Sequence, residues 1–338
     1  MKNALLKYYT NTKINIFNIG DYIQSLAAAQ FFDNKIDILL DREHLNEYSG
    51  DKVKLIMNGW FMHYPQNWPP STQIHPLFVA FHLNSSVKEY LLAPDNVAYF
   101  KKHEPIGCRD WNSVKLLQSQ NVKAYFSGCL TLTLGLSYQN RGGGSNVYFT
   151  DVFYKTNKRF RDLISVSFFG LTHIWKMVKL CKIQHKPLTL KNIIRTSSFY
   201  NVYSNLFTDD VLFQAQYMEH EIEDNFENEE QKFAYAKSLL SMYSHAKFVV
   251  TSRIHCALPC LAMNTPVLYI ENVSQPEISS CRLNGLRELF HVVEYRDGEL
   301  HCNILNGKLS NNTIFSNKKN YESYRDKLIE TCNSFIKS

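Results

Sequence analysis

Three residues able to do chemistry stand together at Ser252, Arg253 and His255, inside the run TSRIHCALPCLAMNTPVLYI (251–270). They fall where an apolar β-rich run gives way to a helical pattern, the place where ligands of parallel sheets are held. A helix start offers free backbone N–H groups to an anion. Arginine adds a planar fork that matches a carboxylate or phosphate, and histidine exchanges a proton near neutral pH. The set can therefore hold an anion and move a proton. The alternative is plain architecture, with Ser252 capping the helix, Arg253 paired to a surface carboxylate and His255 packed in the interior. The residue types alone leave both open.

Two further turns carry candidate groups. NIGD (Asn18 to Asp21) sits at a strand-to-helix junction, where Gly20 lets a ligand approach the backbone and Asp21 is either a helix cap or a base toward an acceptor hydroxyl. GCRDWNS (107–113) ends a short strand at Arg109, which either reaches a ligand or pairs with Asp110 or another acid. The aromatic and amide-rich tract MNGWFMHYPQNW (57–68) suits packing at Phe61 and carbohydrate stacking at Trp60 and His63. Asn18, Gly20, Trp60 and His63 are accordingly the candidate acceptor contacts.

Other chemistries find less support. The glycines at 142–144 are not followed by GK[ST], so they read as a hinge and not as a phosphate loop. The eight cysteines are scattered without a CxxC pair; Cys256 and Cys260 are spaced to share a helix face, but two thiols do not make a metal site, and reduced thiols and no metal are expected. The net charge of +6 and pI near 8.7 favour an anionic substrate or surface. No nucleic-acid motif accompanies them, and no nucleic-acid partner is expected. The start MKNALLKYYTNTK lacks a signal-peptide pattern and no run of about 18 uncharged apolar residues occurs, so a cytoplasmic protein is expected.

These groups need elements to position them. At 338 residues, with 45% hydrophobic and 20% charged residues, the chain is long enough for two globular domains. Strands are expected near Ala4 to Tyr9, Ile36 to Leu40, Val53 to Met57, Leu77 to His82, Pro105 to Cys108 and Ala124 to Phe126. Helices are expected at Asp21 to Phe32 and Asp110 to Gln120, giving a Rossmann-like α/β half. After the polar, glycine-rich YQNRGGGSN (138–146), a second half begins with a strand at Val147 to Thr150. It ends in a helix from about Gln231 to Tyr243 and a βαβ unit of Lys247 to Thr251, Ile254 to Met263 and Pro266 to Ile270. The expected domains are 1–140, 146–318 with a basic insertion at 155–208, and a bracing helix in 319–338. Pro259 is expected to kink the helix after the 251–255 cluster or delay its start.

NIGDYIQSLAAAQFF, GCRDWNSVKLLQSQNVKAYFSGCLTLTL and FVVTSRIHCALPCLAMNTPVLYI together resemble the polysaccharide pyruvyl transferase family. The resemblance touches both halves and leaves 155–208 unmatched. It implies two Rossmann-like domains facing a cleft, as in GT-B glycosyltransferases, and transfer of the pyruvyl group of phosphoenolpyruvate to two sugar hydroxyls as a ketal. By position, Arg253 and His255 resemble the family's donor-site arginine and histidine, Arg109 its second cleft arginine and Asp21 the acid of its turn, with Ser252 beside the donor. No cofactor beyond the phosphoenolpyruvate donor is implied, and the acceptor is expected on a lipid-linked oligosaccharide of a capsule or exopolysaccharide. A nucleotide-sugar glycosyltransferase and a non-catalytic polysaccharide-assembly protein are the alternatives.

Residues 155–203 carry ten basic residues against one acid, Asp162, a net +9. Leu163 to Leu180 (LISVSFFGLTHIWKMVKL) mixes apolar residues, lysines and a tryptophan. The pattern fits a helix lying in a membrane interface, which would add peripheral contact with the inner face of the cell membrane, and equally a basic helix whose apolar face packs on the second half.

Overall fold

The computed structural model describes residues 1–8, 15–61, 63–140, 142–152, 160–273, 281–304 and 307–338, with the backbone alone for 160–165. Tyr9, the expected end of the first strand, and Lys155, Lys158 and Arg159 of the basic stretch lie outside the described residues. In chain order the first half contains β1 (Lys2–Lys7), β2 (Ile16–Asn18), α1 (Ile19–Ala29), β3 (Ile38–Asp41), β4 (Val53–Ile56), β5 (Ile74–Leu77), α2 (Lys88–Leu91), α3 (Pro94–Lys102), β6 (Ile106–Cys108), α4 (Trp111–Gln118) and β7 (Ala124–Phe126). A 3₁₀ segment, Leu130–Leu136, closes it. The second half contains β8 (Val147–Thr150), α5 (Phe160–Thr172), α6 (Ile174–Ile183), α7 (Leu190–Tyr203), α8 (Asp209–Gln214), β9 (Gln216–Met218), β10 (Glu221–Glu223) and α9 (Glu229–Ser244). It continues with β11 (Phe248–Thr251), α10 (Ile254–Ala262), β12 (Val267–Asn272), β13 (His291–Arg296), β14 (Glu299–His301) and α11 (Glu322–Lys337).

The result is a mixed α/β protein built on parallel sheets. One sheet has the order β3-β1-β4-β5 and the other β14-β13-β12-β11-β8-β9, parallel throughout except at β14. In each, the second strand to be added lies on one side of the first and the third on the other. The order thus reverses between β1 and β4 and between β8 and β11, and ligands bind at such reversals, outside the carboxyl ends of the strands. The run VYFT of β8 and FVVT of β11 are buried along their whole length, as strands covered on both faces must be.

One expected strand differs. Ladder bonding at Leu77 to His82 is broken because Ala80 takes φ +55, so β5 ends at Leu77, while Phe78 and Phe81 still exchange backbone bonds with Gly107. These bonds carry the pair β6-β7 alongside the first sheet.

A single apolar core runs from the first sheet through α1 and the 3₁₀ segment to α9, α10 and α11, and a second core fills the other face of the larger sheet with α7. Helix α1 is apolar almost all round; of its deep polar side chains, Ser25 Oγ donates to the Leu6 carbonyl at 2.8 Å, while Gln24 donates through Nε2 to Asp21 at 3.0 Å and keeps its Oε1 buried without a partner. Gly144 is a close approach as well as a turn residue, since a Cβ there would lie 2.0 Å from the His245 carbonyl oxygen. Within the basic stretch a single helix over 163–180 is expected, but the chain forms α5 and α6, broken at His173, and α7 follows them.

Candidate active site

A cleft of about 730 Å³ opens at the carboxyl ends of β8, β9, β11 and β12, with the start of α1 and the end of β6 as its other wall. Seven of the candidate residues line it: Asn18, Asp21, Trp60, Arg109, Ser252, Arg253 and His255. Gly20 and His63 do not.

Each side chain has a specific setting. Asn18 is the cap of α1, accepting from Gly20 N at 3.0 Å, so Asp21 is not the cap. Asp21 lies one turn in, held by Gln24 Nε2 at 3.0 Å and Arg42 Nη1 at 3.5 Å. Burial raises its pKa above the ordinary carboxylate value, while Arg42, Arg109 and His63 oppose the shift. Gly20 is not an acceptor contact. A Cβ at this position would meet Asn18 Oδ1 at 3.0 Å and His255 Cβ at 3.1 Å, so the absent side chain is what lets the starts of α1 and α10 approach. His63 is exposed, with its ring beside Trp60 at a centroid distance of 5.8 Å. The Trp60 Nε1 is buried at the cleft with no hydrogen-bond partner.

The 251–255 cluster is less free than its sequence implies. Arg253 caps α10, but its guanidinium is held by Asp151 (2.7 Å) and Glu221 (2.9 Å), so its fork is occupied by protein carboxylates. The Ser252 hydroxyl donates to the Asp151 carbonyl and does not cap the helix. Asp151, at φ +47 directly after β8, also accepts the His220 N–H at 2.9 Å. Helix α10 starts immediately after Arg253, with Ala257 N bonded to Arg253 O, so Pro259 does not delay it. What Pro259 removes is the N–H that would otherwise reach the His255 carbonyl.

His255 is buried, and its Nε2 lies 3.3 Å from Arg109 Nη1. Guanidinium only donates, so Nε2 accepts and the neutral ring carries its proton on Nδ1. Burial first, then Arg109, Arg282, His220 and Arg253, push its pKa well below the ordinary histidine value. Asp110, one of the alternative partners of Arg109, is instead hydrogen-bonded to His82 and caps α4 through Ser113 N.

Arg282, which sequence reasoning passed over, completes the picture. It lines the cleft, and burial together with Arg109 and Arg253 lowers its pKa, with the charge retained as guanidinium pKa values require. Among the described residues neither Arg109 nor Arg282 has a carboxylate partner, and Arg109 Nε is buried without an acceptor. The only advance signal for Arg282 was its place in the segment following the carboxyl end of β12. Gln184, His185 and Lys186 also reach the cleft, from the turn between α6 and α7.

An α/β protein with an arginine- and histidine-lined cleft at its strand ends is thus defined. The chain belongs to the polysaccharide pyruvyl transferase family, whose model matches residues 18–274. It is therefore a transferase of polysaccharide biosynthesis. No curated protein matches it. In fold it is similar to a functionally uncharacterized protein from Klebsiella pneumoniae subsp. pneumoniae, with 12% identity, a TM-score of 0.41, and 83% of this chain and 87% of that one covered.

Proposed function

We propose that the cleft transfers the pyruvyl group of phosphoenolpyruvate to two hydroxyls of a sugar in an exopolysaccharide or capsule repeat unit, as a cyclic ketal. The observation that carries this reading is the pair Arg109 and Arg282, cations lining the cleft without a carboxylate among the described residues, beside a neutral His255. A donor bearing one carboxylate and one phosphate has an anionic group for each arginine. Arg253, compensated by Asp151 and Glu221, acts mainly to hold the wall of the site. The shared strand order of the two sheets supports a pair of Rossmann-like halves of GT-B type, the acceptor side on the first and the donor side on the second.

Docking of the anion offsets the cations that depress His255, so the ring gains a proton as the donor binds. His255 passes this proton to the donor's methylene carbon, leaving an oxocarbenium-like centre next to it. A sugar hydroxyl forms its C–O bond there and gives up its proton to Asp21, whose burial-raised pKa makes it a better base. The C–O bond to phosphate then breaks and the second hydroxyl closes the ring, losing its proton in turn. Of the two hydroxyl protons, one replaces that spent on carbon and the other leaves with phosphate. An acid, a base and fixed positive charge suffice for these steps.

Melting temperature with phosphoenolpyruvate, compared with uridine and cytidine diphosphates, tests the donor, since a ligand of the native state alone stabilises it. Phosphoenolpyruvate should raise it, with phosphate released once a sugar acceptor is added. A shift by the nucleotides alone would mark a nucleotide-sugar glycosyltransferase instead.

A further inference from the structure

The helices α5 and α6 have two apolar faces, and only one is covered. Their buried positions, Val166, Gly170, Met177, Leu180 and Cys181, keep helical phase through the break at His173 and face inward. A Cβ on Gly170 would come within 2.6 Å of Ser197 Oγ on α7, so this side is closely packed. On the opposite side of the helical wheel stand Phe168, Leu171 and Trp175, exposed to 68%, 67% and 85%. Lys179 and Lys182, also exposed, continue the same stripe.

Large apolar side chains scattered singly on a surface need no explanation, but three on one stripe ending in two lysines do. The charge around them is equally uneven. Residues 155–203 carry +9 in a chain whose total is +6, so all the other residues sum to −3. No helix among the described residues is long and apolar enough to cross a membrane.

We propose that the outer face of α5 and α6 docks peripherally on an anionic lipid surface. Phe168, Leu171 and Trp175 enter the boundary between headgroups and acyl chains, and Lys179 and Lys182 meet lipid phosphates. Two signals of this kind are what reversible but stable interfacial binding requires. A second copy of the chain fits less well, because a two-fold contact would set the lysine-rich stripe against itself. The turn after α6 carries Gln184, His185 and Lys186 into the cleft, so the docking helices and the cleft share an element. This inference does not depend on the identity of the donor.

The test is cosedimentation of the full chain with phosphatidylglycerol-containing vesicles and with pure phosphatidylcholine vesicles, at low and high salt. The intact protein should pellet with the anionic vesicles at low salt and be released by high salt. The double variant Lys179→Glu/Lys182→Glu should partition roughly 25-fold less, taking about fivefold per lysine near the surface. The double variant Leu171→Asp/Trp175→Asp should stay in the supernatant with an unchanged melting temperature. Should either variant fail to fold, quenching by brominated lipid serves in its place: the intact protein should lose the Trp175 emission that a Trp175→Phe variant lacks. Intact protein that stays in the supernatant at low salt overturns the proposal, as does equal binding by folded variants. Light scattering that finds a dimer converted to monomer by Leu171→Asp/Trp175→Asp, without vesicle binding, would make the face a contact between copies.

Discussion

At the scale of single residues, the site is a crowd of positive charge that protein carboxylates only partly answer. Arg253 has Asp151 and Glu221, while Arg109 and Arg282 have no such partner among the described residues. Arg282→Ala should therefore weaken phosphoenolpyruvate binding by about 10- to 100-fold, the worth of a charge-assisted hydrogen bond. Arg253→Lys should cost donor affinity less and thermal stability more; calorimetric titration on both variants would expose the opposite order. His255→Gln should lower turnover by roughly a hundredfold with the donor's thermal shift retained. Near-normal turnover would remove the ring from the mechanism. Titration gives His255 a second signature. Its folded pKa lies below the unfolded value near 6.5, so the unfolded chain binds the proton first as pH falls. The stability tied to a neutral His255 is complete above that value and is lost below it, by up to about 1.4 kcal/mol per pH unit. His255→Gln should flatten the acid side of the urea-midpoint profile below pH ~6.5, leaving the fall due to His82 and His103, both also depressed by burial. The gathering of the candidate residues was legible, since Asp21, Arg109, Ser252, Arg253 and His255 do share one cleft. The pairing of Arg253 with a carboxylate was one of the two readings, but its partners could not be named, because Asp151 and Glu221 stand 102 and 32 positions away and reach it through the β8 and β10 ends.

At the scale of elements, the strands that could be read most sharply are those whose burial is uniform. Val147–Thr150 falls where its apolar run predicts, and Phe248–Thr251 starts one residue later than the run beginning at Lys247. The strand at Leu77 to His82 could not be read so well, because nothing in FVAFH announces the left-handed Ala80 that interrupts it. The 163–180 segment combined two apolar stripes, one packed and one exposed, into what reads as one broad face. Gly20 was legible as a turn glycine, but its use is at the junction of two helices. Gly20→Ala would have to displace the Asn18 cap or His255 by tenths of an ångström. Turnover should fall by roughly tenfold or more, since small misplacements of a reacting group are costly, with only a small change in melting temperature. Steady-state kinetics beside calorimetry would separate the two effects; unchanged turnover would show that the approach of α1 to α10 is not needed for the chemistry.

At the scale of the whole molecule, the two sheets are tied together by more than the cleft they enclose. Helix α1 packs on α9, with Tyr22 and Phe233 rings 5.1 Å apart and Tyr22 OH donating to Glu229 at 2.7 Å. Strand β2 pairs antiparallel with β10, joining Asn18 to Glu221. Helix α11 returns from the end of the chain, so that Lys54 Nζ donates to the Phe335 and Ile336 carbonyls at 3.2 and 2.9 Å, while Tyr321 OH donates to Asn264 at 3.2 Å on the other side. Interfaces between independently moving domains are usually smaller and more polar than this shared core. Cutting the chain between residues 140 and 146 would expose apolar surface on α1, α9 and α10 together, a loss neither half can make good alone. The full chain should therefore unfold in urea as one transition, with tryptophan fluorescence and far-ultraviolet circular dichroism giving the same midpoint. Residues 1–140 expressed alone should lack a cooperative transition. Two separated transitions, or a stable 1–140 fragment, would mean that the halves are energetically independent and that the cleft can open by rigid movement; a single transition means that the arrangement of Arg109 against His255 and Arg282 is set by the folded core before any donor arrives.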